Sequence, residues 1–208
     1  MDKLAKIVQT ITYWPVRFFL KIFLQPQIEG LENLKGLENK AVIFAANHAS
    51  FVDPLLAATS FPLNFLPIRF LATERLYKWW NFPVVLYLWF NGSVKIYPNP
   101  GDLFASLRKV LLLLKNKEKI LIFPEGKRTL DGNLQSGKRG VAFLHQQTKV
   151  LIVPLALVGT FKIFSFKNLF GAKKVLVKIG KPIISLENMT LEQGTETVMQ
   201  KIAELLAS

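Results

Sequence analysis

Ala41-Val42-Ile43-Phe44-Ala45-Ala46-Asn47-His48-Ala49-Ser50-Phe51-Val52-Asp53 joins a short apolar run to a polar segment that holds one of only two histidines in the chain. The run reads as a buried strand, because it is brief, partly β-branched and bounded by polar residues. Asp53 then reads as the opening of a helix. His48 therefore leaves the carboxyl end of a strand, the edge at which open α/β sheets hold their ligands. A carboxylate within reach of one imidazole nitrogen fixes the tautomer and frees the other nitrogen to take a proton from an alcohol. That is a catalytic triad without its serine, so the nucleophile is expected to be a hydroxyl of the substrate, and the reaction acyl transfer onto an alcohol. Taken alone, such a histidine is more often a helix cap or a core residue, and the rest of the chain has to decide.

Working outward, apolar runs alternate with helical patterns. Strands are expected at Ala41 to Ala46, Ile68 to Ala72, Ser93 to Ile96, Lys119 to Phe123, Leu151 to Val158 and Lys174 to Ile179. Helices are expected at Pro54 to Thr59, Tyr77 to Phe90 with a break near Pro83, Leu103 to Leu114 capped by Gly101-Asp102, and Lys138 to Gln147. A last helix carries Val198, Ile202, Leu205 and Leu206, and Thr190-Leu191-Glu192-Gln193 resembles its capping box. This alternation implies an α/β fold, a sheet with helices on its faces.

The chain has 208 residues and no Pro/Gly/Ser-rich linker, which suits one domain plus a short appendage: a helical segment over 1–26 and a domain over 27–208. Half the residues are hydrophobic and mean hydropathy is positive, yet charges recur too often for a polytopic membrane bundle. Lysine and arginine total 27 against 14 acidic residues, a net charge of +13, so an anionic partner is expected: lipid headgroups, nucleic acid or an acidic carrier protein. There is no cysteine. Disulfides, thiolate catalysis and cysteine zinc sites are thereby excluded, and with two histidines no protein-bound metal is expected.

Ile7 to Leu24 is the membrane candidate, but Gln9, Thr10, Pro15, Arg17 and Lys21 interrupt it, and a spanning helix needs about 20 mostly apolar residues. It reads as a segment lying in the interface, with Trp14, Arg17, Phe18, Phe19 and Lys21 as membrane contacts and Pro15 kinking or restarting the helix. The alternative is a core helix with two exposed charges. Two other oily stretches, Phe82 to Phe90 and Phe161 to Phe170, read as core, acyl-chain slot or interfacial loop.

A second constellation follows the Lys119 strand: Pro124-Glu125-Gly126-Lys127-Arg128-Thr129. A carboxylate, a glycine and two adjacent cations at a strand end suit a phosphate, because guanidinium forks onto its oxygens and glycine lets backbone approach. Considered alone, it is more often an ordinary charged turn. Lys138 and Arg139 stand at the expected start of the next helix, where the dipole would favour an anion.

Asn47-His48 with Asp53, then Phe123 to Thr129, Gly137-Lys138-Arg139-Gly140 and Ile152-Val153-Pro154-Leu155-Ala156, together resemble the glycerolipid acyltransferases, in particular the lysophosphatidic acid acyltransferases. The likeness covers roughly residues 30 to 185, in the family's order. It implies a mixed, largely parallel sheet flanked by helices, and transfer of a fatty acyl group from a thioester, acyl-CoA or acyl carrier protein, to the free hydroxyl of lysophosphatidate. It also implies His48 as base, Asp53 as its orienting partner, and Glu125, Gly126 and Arg128 in the phosphate-binding region. Asn47, Pro124 and Pro154 are expected to shape the site, with the oxyanion donors near Pro154 or Gly126.

The chain departs from the family at three points. Lys127 replaces the usual threonine of the loop. No arginine occupies Gly92-Ser93-Val94-Lys95-Ile96-Tyr97-Pro98 where many members carry one, which leaves Lys95 or Arg69 to compensate. Thr73 precedes Glu74 where many members have a lysine. No cofactor is expected beyond the thioester co-substrate. A peripheral or monotopic protein on the cytoplasmic face of the inner or plasma membrane is expected, bound to anionic lipid and not to nucleic acid. Glycerol 3-phosphate or another lysophospholipid as acceptor is the nearest alternative, and a catalytically silent, basic membrane-surface protein a more distant one.

Overall fold

The computed structural model describes residues 2–77, 92–97, 100–163, 165 and 174–208. Most of the expected helix between Tyr77 and Phe90, and most of the Phe161 to Phe170 stretch, lie outside them. Helices α1 (Asp2–Leu24), α2 (Asp53–Ser60), α3 (Pro100–Lys115), α4 (Gly140–Thr148) and α5 (Leu191–Ala207) surround strands β1 (Gln27–Glu29), β2 (Val42–Ala46), β3 (Ile68–Thr73), β4 (Val94–Ile96), β5 (Lys119–Ile122), β6 (Ile152–Val158) and β7 (Leu176–Ile179).

These strands form a single sheet in the order β1-β7-β6-β2-β5-β3-β4. Every neighbouring pair is parallel except β6 with β7. The fold is thus the mixed, largely parallel α/β sheet expected from the sequence. Side-chain alternation divides the core in two. Val42, Phe44 and Ala46 of β2 join α1 and α2 on one face, whereas Ile43 and Ala45 join α3, α4 and α5 on the other. All five residues of β2 are buried, as befits a central parallel strand covered on both faces.

Because β6, β2, β5, β3 and β4 run in one direction, the residues that follow them emerge at one edge. β2 lies between β6 and β5, so the loop carrying His48 is flanked by the loop after Val158 and the loop after Ile122.

Several boundaries differ from the expected ones for local reasons. α3 starts at Pro100, whose fixed φ suits a first helical position, and Gly101-Asp102 fall inside the first turn instead of capping it. Gln27–Glu29, not among the expected strands, pairs with Leu176–Lys178 as an edge strand. α1 runs unbroken through Pro15. The carbonyl deprived of a partner by proline belongs to Ile11, on the solvent side of the helix where water can reach it. The Thr190 capping box is present in full: its hydroxyl accepts from Gln193 N, and the Gln193 side chain accepts from Thr190 N.

α1 is fastened to the domain through polar groups. The Gln9 amide donates to Ile68 O at 2.8 Å and accepts from Ile68 N at 2.9 Å, mimicking a neighbouring strand at the start of β3. Tyr13 Oη donates to Phe61 O at 2.8 Å, and Arg17 donates to Tyr13 Oη and to Thr59 O. The opposite side of α1 exposes Leu4, Ile7, Ile11, Trp14, Phe18, Phe19, Ile22 and Phe23.

Candidate active site

The turn after β2 is built around one carboxylate. Asp53, the first residue of α2, is fully buried, and its Oδ2 accepts from Ala49 N at 2.7 Å, Ser50 N at 2.6 Å and His48 Nδ1 at 2.9 Å. Two backbone donors hold the carboxylate in place at the amino end of α2. The carboxylate in turn fixes the imidazole tautomer with Nδ1 protonated and Nε2 basic. The Phe123 ring stacks on His48 with centroids 4.0 Å apart and planes 19° apart, which holds the imidazole orientation from the other side. The sequence placed Phe123 at a strand end and at the head of the Phe123 to Thr129 stretch, but not against His48, since ring stacking between β2 and β5 depends on their pairing. Ser50, a conceivable nucleophile, is buried, and its Oγ accepts only a long bond from Val52 N at 3.5 Å.

Glu125 is held by backbone donors from two loops. Its Oε1 accepts from His48 N at 2.7 Å and its Oε2 from Gln135 N at 3.0 Å. With 3 % exposure, it is a clip between loops, and an anion in this position would repel a phosphate. Burial pushes its carboxyl above the usual glutamate range, against the opposing effect of the His48 and Gln135 backbone donors. Thr129 N donates to His48 O at 2.8 Å, so the loop after β5 is joined to the histidine turn by Glu125, Thr129 and Phe123.

The cations separate into two groups. Lys127 and Arg128 are exposed on this loop. Lys138 N donates to Pro124 O, and its side chain lies over Gly126, where a Cβ would come within 2.8 Å of Lys138 Cε and Nζ. Gly126 has φ +70, so the backbone favours glycine there, whereas the flexible end of Lys138 could move aside for a larger residue.

The remaining cations go elsewhere. Arg69 is 2 % exposed and forks onto Glu118, at 2.5 Å from Nε and 3.0 Å from Nη2. It sits one residue into β3, at the amino edge of the sheet, so it cannot compensate for the missing arginine. Lys95 lies on β4 with Nζ 5.5 Å and 4.9 Å from the Tyr77 and Tyr97 ring centres. β4 is three strand spacings from β2, roughly 14 Å, and the structure does not bring Lys95 to His48. Arg139 pairs with Glu192 of α5 at 2.7 Å, away from Gly126. Arg17 turns its guanidinium into the protein, as described, leaving Trp14, Phe18, Phe19 and Lys21 on the outer side of α1.

Asn47 shapes the site by pairing its amide with the Leu157 backbone, Nδ2 to O at 3.0 Å and Oδ1 to N at 2.7 Å, which continues the β2–β6 contact beyond the ladder. Pro154 lies inside β6, opposite Ala45, and not beside a turn. It has no N–H, and Gly126 N is committed to Phe123 O, so neither of these two residues itself offers a free backbone donor. Among the described residues no group of three or more His, Cys, Asp or Glu is placed to hold a metal ion.

An open cleft lined by Asn47, His48, Glu125, Thr129, Leu157 and Thr160, among others, collects these loops. A positioned base at the carboxyl edge of the sheet, with exposed cations on the adjoining loop, can deprotonate an alcohol whose anionic end is held nearby.

The chain is 31% identical over 186 residues to the chloroplastic 1-acyl-sn-glycerol-3-phosphate acyltransferase LPAT1 of Arabidopsis thaliana, covering 86% of this chain and 48% of that protein. It is 30% identical over 182 residues to the 1-acyl-sn-glycerol-3-phosphate acyltransferase of Saccharomyces cerevisiae, covering 84% and 56%. The chain therefore spans about half the length of the curated relatives it matches. The crystal structure of the 1-acyl-sn-glycerophosphate acyltransferase PlsC from Thermotoga maritima superposes with a TM-score of 0.73 over 96% of this chain and 80% of that one, at 23% identity, and shows the same fold. The acyltransferase family model matches residues 25–158, which include the His48 turn, the Glu125 loop and β6. By that match, which takes in well over half its length, the chain belongs to the acyltransferase family.

Proposed function

We propose that this protein transfers a fatty acyl group from a thioester, acyl-CoA or acyl carrier protein, to the free hydroxyl of lysophosphatidate, giving phosphatidate, at a membrane surface. The observation that carries the reading is the His48–Asp53 pair at 2.9 Å on the same sheet edge as the 125–128 loop. Both features of the proposed acceptor find a counterpart on that edge, a histidine for the hydroxyl and cations for the phosphate. His48 Nε2 takes the hydroxyl proton as the oxygen attacks the acyl carbonyl, and Asp53 stabilises the imidazolium. Lys127, Arg128 and Lys138 hold the phosphate and so aim the hydroxyl. Orientation of this kind supplies much of the rate in direct transfer between two bound substrates. The names of the relatives, each a 1-acyl-sn-glycerol-3-phosphate acyltransferase, support this acceptor.

Docking on the bilayer follows from the outer face of α1, whose aromatics lie beside Lys21. Among the described residues no helix is long and apolar enough to cross a membrane, and the helix fits a position in the interface, with the amphiphilic substrates arriving laterally.

The test is mass spectrometry of lipid products after incubating purified protein with lysophosphatidate and each thioester donor. Phosphatidate is expected from the unmodified protein, and His48→Ala is expected to reduce its formation about 10²–10⁴-fold. Equal rates for the two proteins would remove the histidine from the mechanism, and equal rates on acceptors with uncharged headgroups would remove the phosphate clamp.

A further inference from the structure

The tetrahedral intermediate of acyl transfer carries a negative oxygen that needs a hydrogen-bond donor, and the backbone donors of the His48 turn itself are committed. The backbone N–H groups of His48, Ala49 and Ser50 serve Glu125 and Asp53, and those of Gly126 and Thr129 serve Phe123 O and His48 O. Of the side chains lining the cleft, the Asn47 amide is spent on Leu157, the Thr129 hydroxyl on Asp131 and the Asn133 amide on Asp131.

Thr160 is the exception. β6 ends at Val158, and Gly159 follows with φ +81, so close to the next segment that a Cβ would meet Lys174 O at 2.3 Å. Thr160 comes next, is 0 % exposed and lines the cleft together with His48. Its Oγ1 is buried with no hydrogen-bond partner. A hydroxyl so placed carries a desolvation penalty that valine, with nearly the same shape, would avoid. β6 also flanks β2 on the side opposite β5, so His48 stands between the cationic loop and Thr160.

We propose that the Thr160 hydroxyl donates a hydrogen bond to the oxygen that becomes anionic when the acyl carbonyl is attacked. The inference rests on the acyl-transfer reading above. As the new C–O bond forms, the alcohol proton passes to His48 Nε2 and the carbonyl π electrons move onto the oxygen facing Thr160. Collapse of the intermediate re-forms the carbonyl and breaks the C–S bond. The departing thiolate takes the proton back from the imidazolium, so that no net proton or electron is left on the protein.

The experiment compares unmodified protein with Thr160→Val, Thr160→Ser and His48→Ala for steady-state transfer of a palmitoyl group from its thioester to lysophosphatidate, alongside thermal melting. Thr160→Val is expected to melt no lower than the unmodified protein, because the hydroxyl it removes has no partner within the fold. Its kcat is expected to fall about 10²–10³-fold, the usual effect of losing one such donor, with KM for both substrates within about twofold, since the bond forms only in the transition state. Thr160→Ser, which keeps the hydroxyl, is expected to recover most of the rate. If the unmodified protein transfers and His48→Ala does not, while Thr160→Val keeps its kcat or raises only KM, the Thr160 proposal is wrong and the acyl-transfer reading stands. A serine variant as slow as the valine variant also overturns it. If the unmodified protein forms no acylated lipid with any donor, the broader reading fails and takes this proposal with it.

Discussion

The Glu125 carboxylate accepts backbone N–H groups from two separate loops, so a change there acts on the position of His48 and not on substrate charge. In Glu125→Gln one oxygen can keep its bond, but the amide NH₂ meets a second N–H donor. We expect a loss of about 1–3 kcal/mol in denaturant unfolding, the usual penalty for a buried donor left without an acceptor, and a lower kcat with little change in KM. The pH dependence has a definite sign. Since burial raises the Glu125 pKa above its ordinary value of 4.5, its contribution is fully present below that value and is lost as pH rises through the higher folded one. Stability of the unmodified protein relative to Glu125→Gln should therefore decline upward from about pH 4.5. A gap that widens over the same range would contradict burial as the dominant cause.

At the scale of elements, β3 and β5 are joined by more than their ladder. Arg69 forks onto Glu118 almost out of solvent. Arg69→Met leaves that carboxylate buried and unpaired, and breaking such a pair typically costs about 3–5 kcal/mol. The melting temperature should fall, while KM for lysophosphatidate measured below the transition should not change. A raised KM with unaltered melting would return Arg69 to the binding site. α1 carries its own prediction, because its inner side is fastened by Gln9, Tyr13 and Arg17 and its outer side is apolar. Trp14→Ser combined with Phe18→Ser removes two side chains that are 61% and 67% exposed. We expect the double variant to melt normally and to float poorly with vesicles containing anionic lipid. Unchanged flotation would show that another surface makes the contact.

The whole molecule is strongly basic, with a net charge of +13, and its attraction to an anionic bilayer should be screened over about 8 Å at physiological ionic strength. Vesicle binding should weaken steeply as salt is raised, then level off at whatever affinity the apolar face of α1 supplies. Binding that ignores salt would mean that the cations on this surface do not meet lipid headgroups. The strands and helices that sequence made legible are those with strong periodicity or length, and the His48–Asp53 contact was legible because both residues belong to one turn. Thr190-Leu191-Glu192-Gln193 was legible for the same local reason. β1 was not, since three residues beside a proline become a strand only when β7 is there to pair with them.

Chain chemistry over short distances therefore determined the His48–Asp53 pair and the helix cap, because each depends on neighbours a few residues apart, while the alternation along the chain gave the α/β class and the absence of cysteine excluded thiolate catalysis. Tertiary structure alone decided how charged and hydroxyl groups were allotted. Arg69 went to Glu118, Arg139 to Glu192, Lys95 to two tyrosine rings and Glu125 to two backbone amides, while the Thr160 hydroxyl was left unpaired in a residue that lines the same cleft as His48. The physical reason is that a polar side chain is committed by whichever partner the sheet order brings within about 3 Å, and that order is set by pairing between strands far apart in the chain.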